Sequence, residues 1–158
     1  MQNPELAPNT PVIGTNGNVF TGPVFRIRSA NGMVLDDWGG QATGQGTLSQ
    51  MKDDGNHKNR LWQLVYIEDK FYRIRSFNGV CIDDWGGAYV GNGTASQVRD
   101  DGSHGNRAWR FIPTYGNFYI ITGWFEKVQL DDEGGSISGY GTASFSRGGT
   151  GIQKNISW

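Results

Sequence analysis

The sequence lacks the features that identify several large classes of protein. Cys81 is the single cysteine among 158 residues, so an intrachain disulfide is excluded and the fold must be held by packing. The formal net charge of −1 provides neither the basic surface of a nucleic-acid-binding protein nor a polyanionic tail. No apolar run approaches the roughly 20 residues of a membrane-spanning helix, and no stretch keeps a period of 3.6. We therefore expect almost no helix, no nucleic-acid partner and no membrane insertion.

Glycine, aromatic residues and internal repetition are what the sequence has in abundance. Residues 24–70 (copy one) align without a gap with residues 71–117 (copy two), and about half of the positions are identical. Residues 118–158 form copy three after two small insertions. Because a unit of about 47 residues cannot bury an apolar face alone, we expect the copies to close around a shared axis. Trp62, Trp109 and Trp158 recur at one position and are the predicted centre of that core.

Each copy is predicted to contain four short strands, which makes twelve in an all-β domain. In copy one the predicted strands are Val24–Arg28, Met33–Asp36, Leu48–Lys52 and Leu61–Ile67. Asn31-Gly32 and Asn78-Gly79 stand between alternating apolar residues, and this pattern predicts hairpins with type I′ turns. Glycine-rich segments and Asp-Asp-Gly loops separate the remaining strands.

The two ends of the sequence carry further expectations. Copy three stops at Trp158, so its fourth strand is short, and residues 12–20 are expected to lie beside it and supply the missing pairing. Residues 1–20 are predicted to be a tail partly ordered against the barrel, and residues 21–158 a single domain. Residues 3–18 have no basic or apolar region of a signal peptide. A cytoplasmic protein, or one released without a conventional signal peptide, is therefore expected.

A second motif accompanies the tryptophans. Two hydrophobic residues followed by aspartate occur on the second strand of each copy, as Val34-Leu35-Asp36, Cys81-Ile82-Asp83 and Gln129-Leu130-Asp131. Over about residues 24–158 the chain resembles the ricin-type β-trefoil lectins. The resemblance implies a β-trefoil of three four-stranded repeats with pseudo-threefold symmetry, and binding of galactose or GalNAc. The glutamine that this family has two residues before the tryptophan is replaced here by Arg60, Arg107 and Ile156.

The resemblance also implies which residues would contact a sugar. Asp36 and Asp83 match the family's sugar-binding aspartate, and Asn59, Asn106 and Asn155 match its sugar-binding asparagine. Lys52, Arg99 and Arg147 occupy the positions of its stacking aromatic residue. The Trp-Gly-Gly after the aspartate, with a distal histidine, is similar instead to the mussel β-trefoil lectins, where a His-Pro-Tyr-Gly-Gly loop faces an Asp- and His-bearing segment.

The chemistry of a sugar supports the same residues. Its hydroxyl groups need fixed carboxylate and amide partners, and its C–H face needs an aromatic wall. Trp38 and Trp85 would form the wall, and Gly39 and Gly86 would let backbone N–H groups approach the ligand. The candidate carbohydrate-binding residues are Asp36, Trp38, Gly39, Asp54, His57 and Asn59 in copy one, and Asp83, Trp85, Gly86, Asp101, His104 and Asn106 in copy two.

Several of these residues have a structural alternative that the sequence leaves open. The alternatives are packing over the barrel mouth for Trp38 and Trp85, a loop hydrogen bond for His57 and His104, loop bracing for Asp37 and Asp84, and turn capping for Asp53 and Asp100. Copy three has Glu133 and Gln153 at the tryptophan and histidine positions, and residues 148–151 replace its Asp-Asp-Gly loop. Two working sites and one degenerate site would produce this pattern, as would a more recent duplication of copies one and two.

The leading interpretation is a non-enzymatic, multivalent lectin whose partners are glycans or glycoconjugates, with no cofactor and no metal. A homodimer is one oligomeric state open to it. The alternative is a protein-interaction β-trefoil, such as a protease inhibitor or a cytoskeletal binding module. An enzyme is disfavoured because Asp36 and Asp37 point to opposite faces of one strand and no Ser/His/Asp set is present. The Asp-rich loops could hold Ca²⁺, although no EF-hand spacing is present.

Overall fold

The structure is a computed structural model that describes residues 12–13, 19–20, 23–41, 48–55, 57–84, 95–102, 105–124, 128–135, 143–147 and 154–158. These residues form short antiparallel strands joined by turns, with single turns of 3₁₀-helix at Lys58–Arg60, Gly105–Arg107 and Lys154–Ile156. The three turns stand at equivalent positions of the three copies, directly before the repeated tryptophans. In the described part of the chain no helix is long and apolar enough to cross a membrane.

The described residues contain twelve strands, but these are not distributed as four in each copy. Before copy one lie β1 (Val12–Ile13) and β2 (Val19–Phe20). Copy one contains β3 (Met33–Asp36), β4 (Ser49–Lys52) and β5 (Trp62–Glu68). Copy two contains β6 (Phe71–Ser76), β7 (Val80–Asp83), β8 (Ser96–Arg99) and β9 (Trp109–Pro113). Copy three contains β10 (Tyr119–Gly123), β11 (Val128–Asp131) and β12 (Ser144–Arg147).

The second and third strands pair in the same way in each copy. One eight-stranded sheet has the order β12-β11-β10-β9-β6-β7-β8, with β5 paired to β6, and β3 and β4 form a separate pair. The pairs β3/β4, β7/β8 and β11/β12 share one register, in which the motif aspartate faces a serine. These pairs are Asp36–Ser49, Asp83–Ser96 and Asp131–Ser144. The equal register places the three aspartates at equivalent points at the ends of their strands.

The hydrophobic core repeats with the same symmetry. Each copy supplies one buried residue from the first-strand segment, one from the second strand, one preceding the third and the tryptophan of the fourth. In copy order these sets are Ile27, Ile74 and Ile121; Leu35, Ile82 and Leu130; Leu48, Ala95 and Ala143; and Trp62, Trp109 and Trp158. The tryptophans are therefore the centre of the core, as the sequence predicts, and burial of such large side chains is a major stabilising contribution.

Each core tryptophan also makes one polar contact. The indole Nε1–H of Trp62 donates to the carbonyl of Leu35 at 3.2 Å, and Trp109 donates to Ile82 at 3.0 Å. Trp158 donates to Leu130 at 2.9 Å. A buried indole N–H normally requires such a partner. The acceptor immediately precedes the motif aspartate, so the core tryptophan holds the strand end from which that aspartate projects.

Three predictions about local structure are wrong. The hairpins do not have type I′ turns, because within Asn31-Gly32 and Asn78-Gly79 only the glycines have positive φ, at 82° and 85°. Gly32 N–H donates to the carbonyl of Ser29, which makes a type I turn followed by a left-handed glycine.

The other two corrections concern strand extent. The predicted first strand, Val24–Arg28, contains only isolated bridges, from Phe25 to Trp62 and from Arg28 to Val34. Its copy-two equivalent β6 is a full strand because β5 and β9 pair with it on both sides. Residues 12–20 were expected to pair with the end of copy three, but among the described strands β1 and β2 pair with each other, and the backbone of Trp158 pairs with Tyr119.

Replacing Trp109 by phenylalanine should destabilise the fold by at least about 2 kcal/mol, because a buried carbonyl loses its donor and the smaller ring leaves a cavity. Urea denaturation followed by circular dichroism measures the change. Tyr66→Phe is the matched control, since that side chain is 64% exposed and its substitution should change stability by less than about 0.5 kcal/mol. Equal effects in the two variants would contradict the central role of Trp109.

Cys81 should be unreactive in the native protein. It is fully buried in β7, and burial raises the pKa of its thiol to about 12, so the reactive thiolate is scarce at mildly alkaline pH. A colorimetric disulfide reagent added at about pH 8 should label Cys81 only after the protein is unfolded in denaturant. Rapid labelling of the folded protein would show that β7 opens readily.

Candidate functional site

Asp36 stands at the end of β3 and is held from two sides. Its Oδ1 accepts the backbone N–H of Trp38 at 2.8 Å, which closes the turn after the strand. Its Oδ2 accepts Nε–H of Arg60 at 3.3 Å. The two side chains are each 6% exposed, so this ion pair forms the floor of the candidate site. Asp36 is therefore fixed in place before any ligand binds.

Asp54 and His57 form the exposed rim of the same site. Arg60 donates through Nη1 to Oδ1 of Asp54, whose side chain is 64% exposed. His57 Nε2 lies 3.4 Å from the same oxygen. The hydrogen bond from Arg60, followed by the charges of Arg60 and His57, holds the pKa of Asp54 below its usual value. The predicted grouping of Asp36, Asp54 and His57 is thus present, and Arg60 joins its two carboxylates.

Asn59 contributes through its backbone. Its carbonyl accepts the N–H of Asp37 at 2.8 Å, and in copy two the carbonyl of Asn106 accepts the N–H of Asp84 at the same distance. These bonds connect the 3₁₀ turn to the loop after the second strand. The side chain of Asn106 also donates from Nδ2 to Oδ2 of Asp83 at 2.6 Å. In copy two the predicted asparagine therefore orients the predicted aspartate.

Copy two repeats the charged arrangement of copy one. Arg107 Nε donates to Oδ2 of Asp83 at 3.3 Å, and Nη1 donates to Oδ1 of Asp101. The side chain of Asp101 is 64% exposed, as is that of Asp54. Trp85, Gly86 and His104 lie outside the described residues, so the predictions for them stand as made.

Arg60 and Arg107 are the site residues that the sequence reasoning missed. From the sequence they are identified only as replacements for the family's glutamine. The usable signal was that both arginines occur at one position, six residues after Asp54 and Asp101, while copy three has Ile156 there. A long cationic side chain between two aspartates at equal spacing in two copies indicates a bridging ion pair.

The glycines after Trp38 make hydrogen bonds within their own loop. The N–H groups of Gly39 and Gly40 both donate to Oδ1 of Asp37, at 3.0 and 3.2 Å, and are therefore not presented to a ligand. Their φ values of 72° and 76° lie in the left-handed region that favours glycine. A Cβ at Gly40 would also lie 2.6 Å from Cβ of Asn78. These glycines shape the loop, and contact of Gly39 with a sugar stays a prediction.

Asp37 braces that loop against copy two, which confirms one structural alternative. It is fully buried, and its two carboxylate oxygens accept Nδ2 of Asn78 at 3.1 and 3.0 Å. Burial raises the pKa of Asp37, and hydrogen bonds from Ser76 and Asn78 oppose that shift. Asp132 makes the equivalent contact, accepting Nδ2 of Asn31 at 3.0 Å. The second aspartate of each of these Asp-Asp pairs thus joins neighbouring copies.

Trp38 is half-buried and has a φ of 49°, an uncommon conformation for a large side chain. Glu133 has the same φ in copy three, so the turn itself imposes this backbone. In copy three Oδ1 of Asp131 accepts the N–H of Glu133 at 2.8 Å, as Asp36 does with Trp38. The loop geometry of copies one and three therefore belongs to the scaffold, and tryptophan occupies this position in copies one and two, as Trp38 and Trp85.

Asp53 and Asp100 serve neither the site nor the turn-capping role that was predicted. Asp53 forms ion pairs with Arg26 and Arg28 of the first-strand segment. Asp100 pairs with Arg73 at 2.9 Å and with Arg75 at 3.5 Å. These contacts tie the loop after the third strand to the first, so the two aspartates of each Asp-Asp-Gly sequence face different partners.

The described site is built to accept hydrogen bonds from a polar ligand. The exposed rim carries the carboxylate of Asp54 in copy one and that of Asp101 in copy two. The floor of the copy-one site is the ion pair of Asp36 with Arg60, in which the two charges offset each other. No cluster of three or more metal-ligating side chains occurs among the described residues. An ionised carboxylate forms strong, charge-assisted bonds with hydroxyl groups. The arrangement therefore suits a ligand rich in hydroxyl donors.

The family model described as "Ricin-type beta-trefoil lectin domain-like" matches residues 16–98. Three similar solved structures show the same fold. The designed three-fold symmetric protein ThreeFoil is 19% identical, with a TM-score of 0.69 over 85% of this chain and 95% of that one. The BEL beta-trefoil in an apo crystal form is 17% identical, with a TM-score of 0.63 over 97% and 96% of the two chains.

The third structure is a Polyporus squamosus lectin bound to the epitope Neu5Aca2-6Galb1-4GlcNAc. It is 19% identical, with a TM-score of 0.66 over 85% of this chain and 47% of that chain. At these identities the likeness establishes the fold, which is the β-trefoil that the sequence predicted. No curated protein matches the sequence.

Replacing Asn78 by alanine should destabilise the protein by about 1–3 kcal/mol at neutral pH, because the buried Asp37 carboxylate loses two hydrogen bonds. A carboxyl whose pKa is raised by folding stabilises most below its unfolded pKa, and that contribution is lost as the pH rises through the folded pKa. The hydrogen bonds from Asn78 stabilise the ionised carboxylate of Asp37 and so oppose this loss of stability. The destabilisation caused by Asn78→Ala should therefore become smaller towards about pH 4, where more of the carboxyl is protonated.

Urea denaturation at the two pH values measures this effect. Asn117→Ala, a change at an exposed asparagine, is the matched control and should have little effect at either pH. An Asn78→Ala cost that is the same in acid as at neutral pH would contradict the proposed link to Asp37 ionisation.

Proposed function

The chain belongs to the ricin-type β-trefoil lectin domain-like family, and on that premise we propose that it is a carbohydrate-binding protein with one site in copy one and one in copy two. The observation that carries the proposal is the repeated set of a buried aspartate, a bridging arginine and an exposed aspartate. It consists of Asp36, Arg60 and Asp54 in copy one, and of Asp83, Arg107 and Asp101 in copy two.

The proposed binding mode follows from this arrangement. The rim carboxylates of Asp54 and Asp101 accept hydroxyl groups, with Asp36 and Asp83 as the inner acceptors. Trp38 supplies an apolar wall for a C–H face of the sugar, and His57 lies at the rim beside Asp54. Trp85, Gly86 and His104 are proposed to complete the copy-two site in the same way. Galactose or GalNAc is the proposed sugar, on the resemblance to ricin-type lectins, and the Polyporus squamosus lectin is bound to a galactose-containing epitope.

Copy three supports the restriction to two sites. It retains the turn geometry, with Asp131 accepting the N–H of Glu133, and it retains the core tryptophan Trp158. It has Glu133 at the position of Trp38 and Ile156 at that of Arg60. The core tryptophan is thus kept in all three copies, whereas the polar constellation is specific to two.

We also propose that the protein binds without catalysis. Glycoside hydrolysis requires a carboxylic acid that keeps its proton, with a raised pKa, opposite a second carboxylate. Asp36 and Asp54 are both bonded to one guanidinium, and the pKa of Asp54 is lowered. Both carboxylates are therefore suited to accept hydrogen bonds and poorly suited to donate a proton.

Affinity is proposed to depend on both sites. A monosaccharide of about 12 heavy atoms, at roughly 0.3 kcal/mol per atom, binds with a Kd near the millimolar range. Engagement of two sites by one glycan-bearing surface raises the effective affinity by orders of magnitude without new contacts. Loss of either site should therefore weaken binding to a surface much more than binding to a free sugar.

The double variant Asp36→Ala/Asp83→Ala tests the proposal. On an array of galactose- and GalNAc-terminated glycans it should lose at least about 90% of wild-type binding, because each site loses its inner acceptor and each arginine loses its buried partner. Asp131→Ala is the matched control, since it removes the equivalent aspartate of copy three and should leave binding intact.

Binding that persists in the double variant would contradict the assignment of these sites. A wild-type protein that binds no glycan, but retains a specific protein partner, would favour the protein-interaction β-trefoil. Urea denaturation of each variant separates loss of binding from loss of folding.

A further inference from the structure

We propose that Arg60 and Arg107 are positioning residues, each of which holds an inner and a rim carboxylate together as one pair of acceptors for the hydroxyl groups of the sugar. The proposal rests on the proposed function and deepens it. It assigns a role to two side chains at the position where this chain departs from the glutamine of its family.

The geometry of the guanidinium carries the inference. Arg60 uses Nε for Oδ2 of Asp36, at 3.3 Å, and Nη1 for Oδ1 of Asp54. Arg107 uses the same two nitrogens for Asp83, also at 3.3 Å, and for Asp101. One planar group thus bonds both to the aspartate at a strand end and to the aspartate of a loop. A neutral amide or a single ammonium group lacks the fixed fork that makes this bridge.

The low exposure of the two arginine side chains indicates that they position other residues and do not contact the ligand directly. The side chains of Arg60 and Arg107 are 6% and 12% exposed, whereas those of Asp54 and Asp101 are both 64% exposed. The arginines therefore lie beneath the carboxylates that a ligand would reach. Their effect on a ligand must pass through the aspartates that they hold.

The charges explain why a cation is needed at this position. Two carboxylates that converge on one ligand repel each other, and this repulsion favours protonation of one of them. A single guanidinium between them offsets the repulsion and leaves one net negative charge to accept hydroxyl groups. The hydrogen bond from Arg60 is the largest cause of the lowered pKa of Asp54, so the arginine favours the ionised form of this carboxylate.

The surrounding ionisable groups do not replace the arginines. In copy one they are Asp37 beside Asp36, Lys52 at the end of β4, and His57 and Lys58 at the 3₁₀ turn. His57 is 3.4 Å from Asp54 and adds a smaller lowering of its pKa. In copy two Cys81 and Asp83 lie near Arg107, and the buried Cys81 stays a neutral thiol because its pKa is about 12.

Copy three provides an internal comparison. It has Ile156, which is buried, at the arginine position. Glycine-rich residues 148–151 replace the loop that carries the rim aspartate in the other copies. The bridging cation is therefore present in the two copies that have both carboxylates to bridge and is absent from the copy that has one.

The double variant Arg60→Gln/Arg107→Gln tests the proposal through the pH profile of binding. Its Kd for a galactose-terminated glycan should rise by about tenfold or more at neutral pH, since hydrogen bonds to charged groups orient both acceptors. Loss of the guanidinium raises the pKa of Asp54, so the decline of binding on acidification should begin at a higher pH than in the wild type. Arg60→Lys/Arg107→Lys, which keeps the charge but not the fork, should be intermediate.

Arg26→Gln/Arg73→Gln is the matched control. It removes the same kind of side chain from the ion pairs with Asp53 and Asp100, which lie outside the site. This variant should keep the neutral-pH Kd and the acid decline of the wild type. A pH profile that shifts equally in both double variants, or in neither, overturns the proposal.

A measurement without ligand keeps the inference independent of the proposed function. The carboxyl ¹³C shift of Asp54, followed through an acid titration, should report a higher pKa in Arg60→Gln than in the wild type. An unchanged Asp54 titration overturns the positioning role even if glycans bind. A wild type that binds no glycan rejects the proposed function, while a shifted titration would still show that Arg60 controls the ionisation of the rim carboxylate.

Discussion

The hydrogen bond from each core tryptophan to the strand beside it is the contact on which the rest of this structure depends. Trp62, Trp109 and Trp158 fill the centre of the core, and their indole N–H groups donate to the residue just before the motif aspartate. Burial of the ring stabilises the fold, and the single hydrogen bond fixes the position of the neighbouring strand end. Because the donor is buried, its loss is costly, and the strand end that carries the aspartate is held at one place in every copy.

On this common scaffold, a few substitutions separate the copies that bear a polar site from the copy that does not. The turn after the motif aspartate is the same in copies one and three, down to the φ of 49° at Trp38 and Glu133. Copy one has Arg60 at the position that Ile156 occupies in copy three, and this arginine bridges the buried Asp36 to Asp54. Asparagine side chains join two of these loops to the neighbouring copy, Asn78 to Asp37 and Asn31 to Asp132, so the site loop of copy one is braced from outside its own repeat.

Much of the fold followed from patterns along the chain, because equal spacing of like residues in three copies leaves little freedom in how they pack. The second and third strands, the central tryptophans and the grouping of Asp36 with Asp54 and His57 were all predictable in this way. Turn type was not, since Asn31 and Asn78 take ordinary φ values and use their side chains to reach other copies. The extent of the first strand was not predictable either, because it depends on which strands flank it.

The sequence by itself determined the repeat, the all-β character, the residues of the core and the two copies in which polar residues recur. These properties depend on periodicity and residue type, which are local and can be compared between copies. Only the tertiary structure decided that Arg60 joins Asp36 to Asp54, that Gly39 and Gly40 donate to Asp37, and that Asp53 faces Arg26. Adjacent aspartates are equivalent in a sequence. They acquire different partners only when strands from distant parts of the chain lie on opposite sides of them.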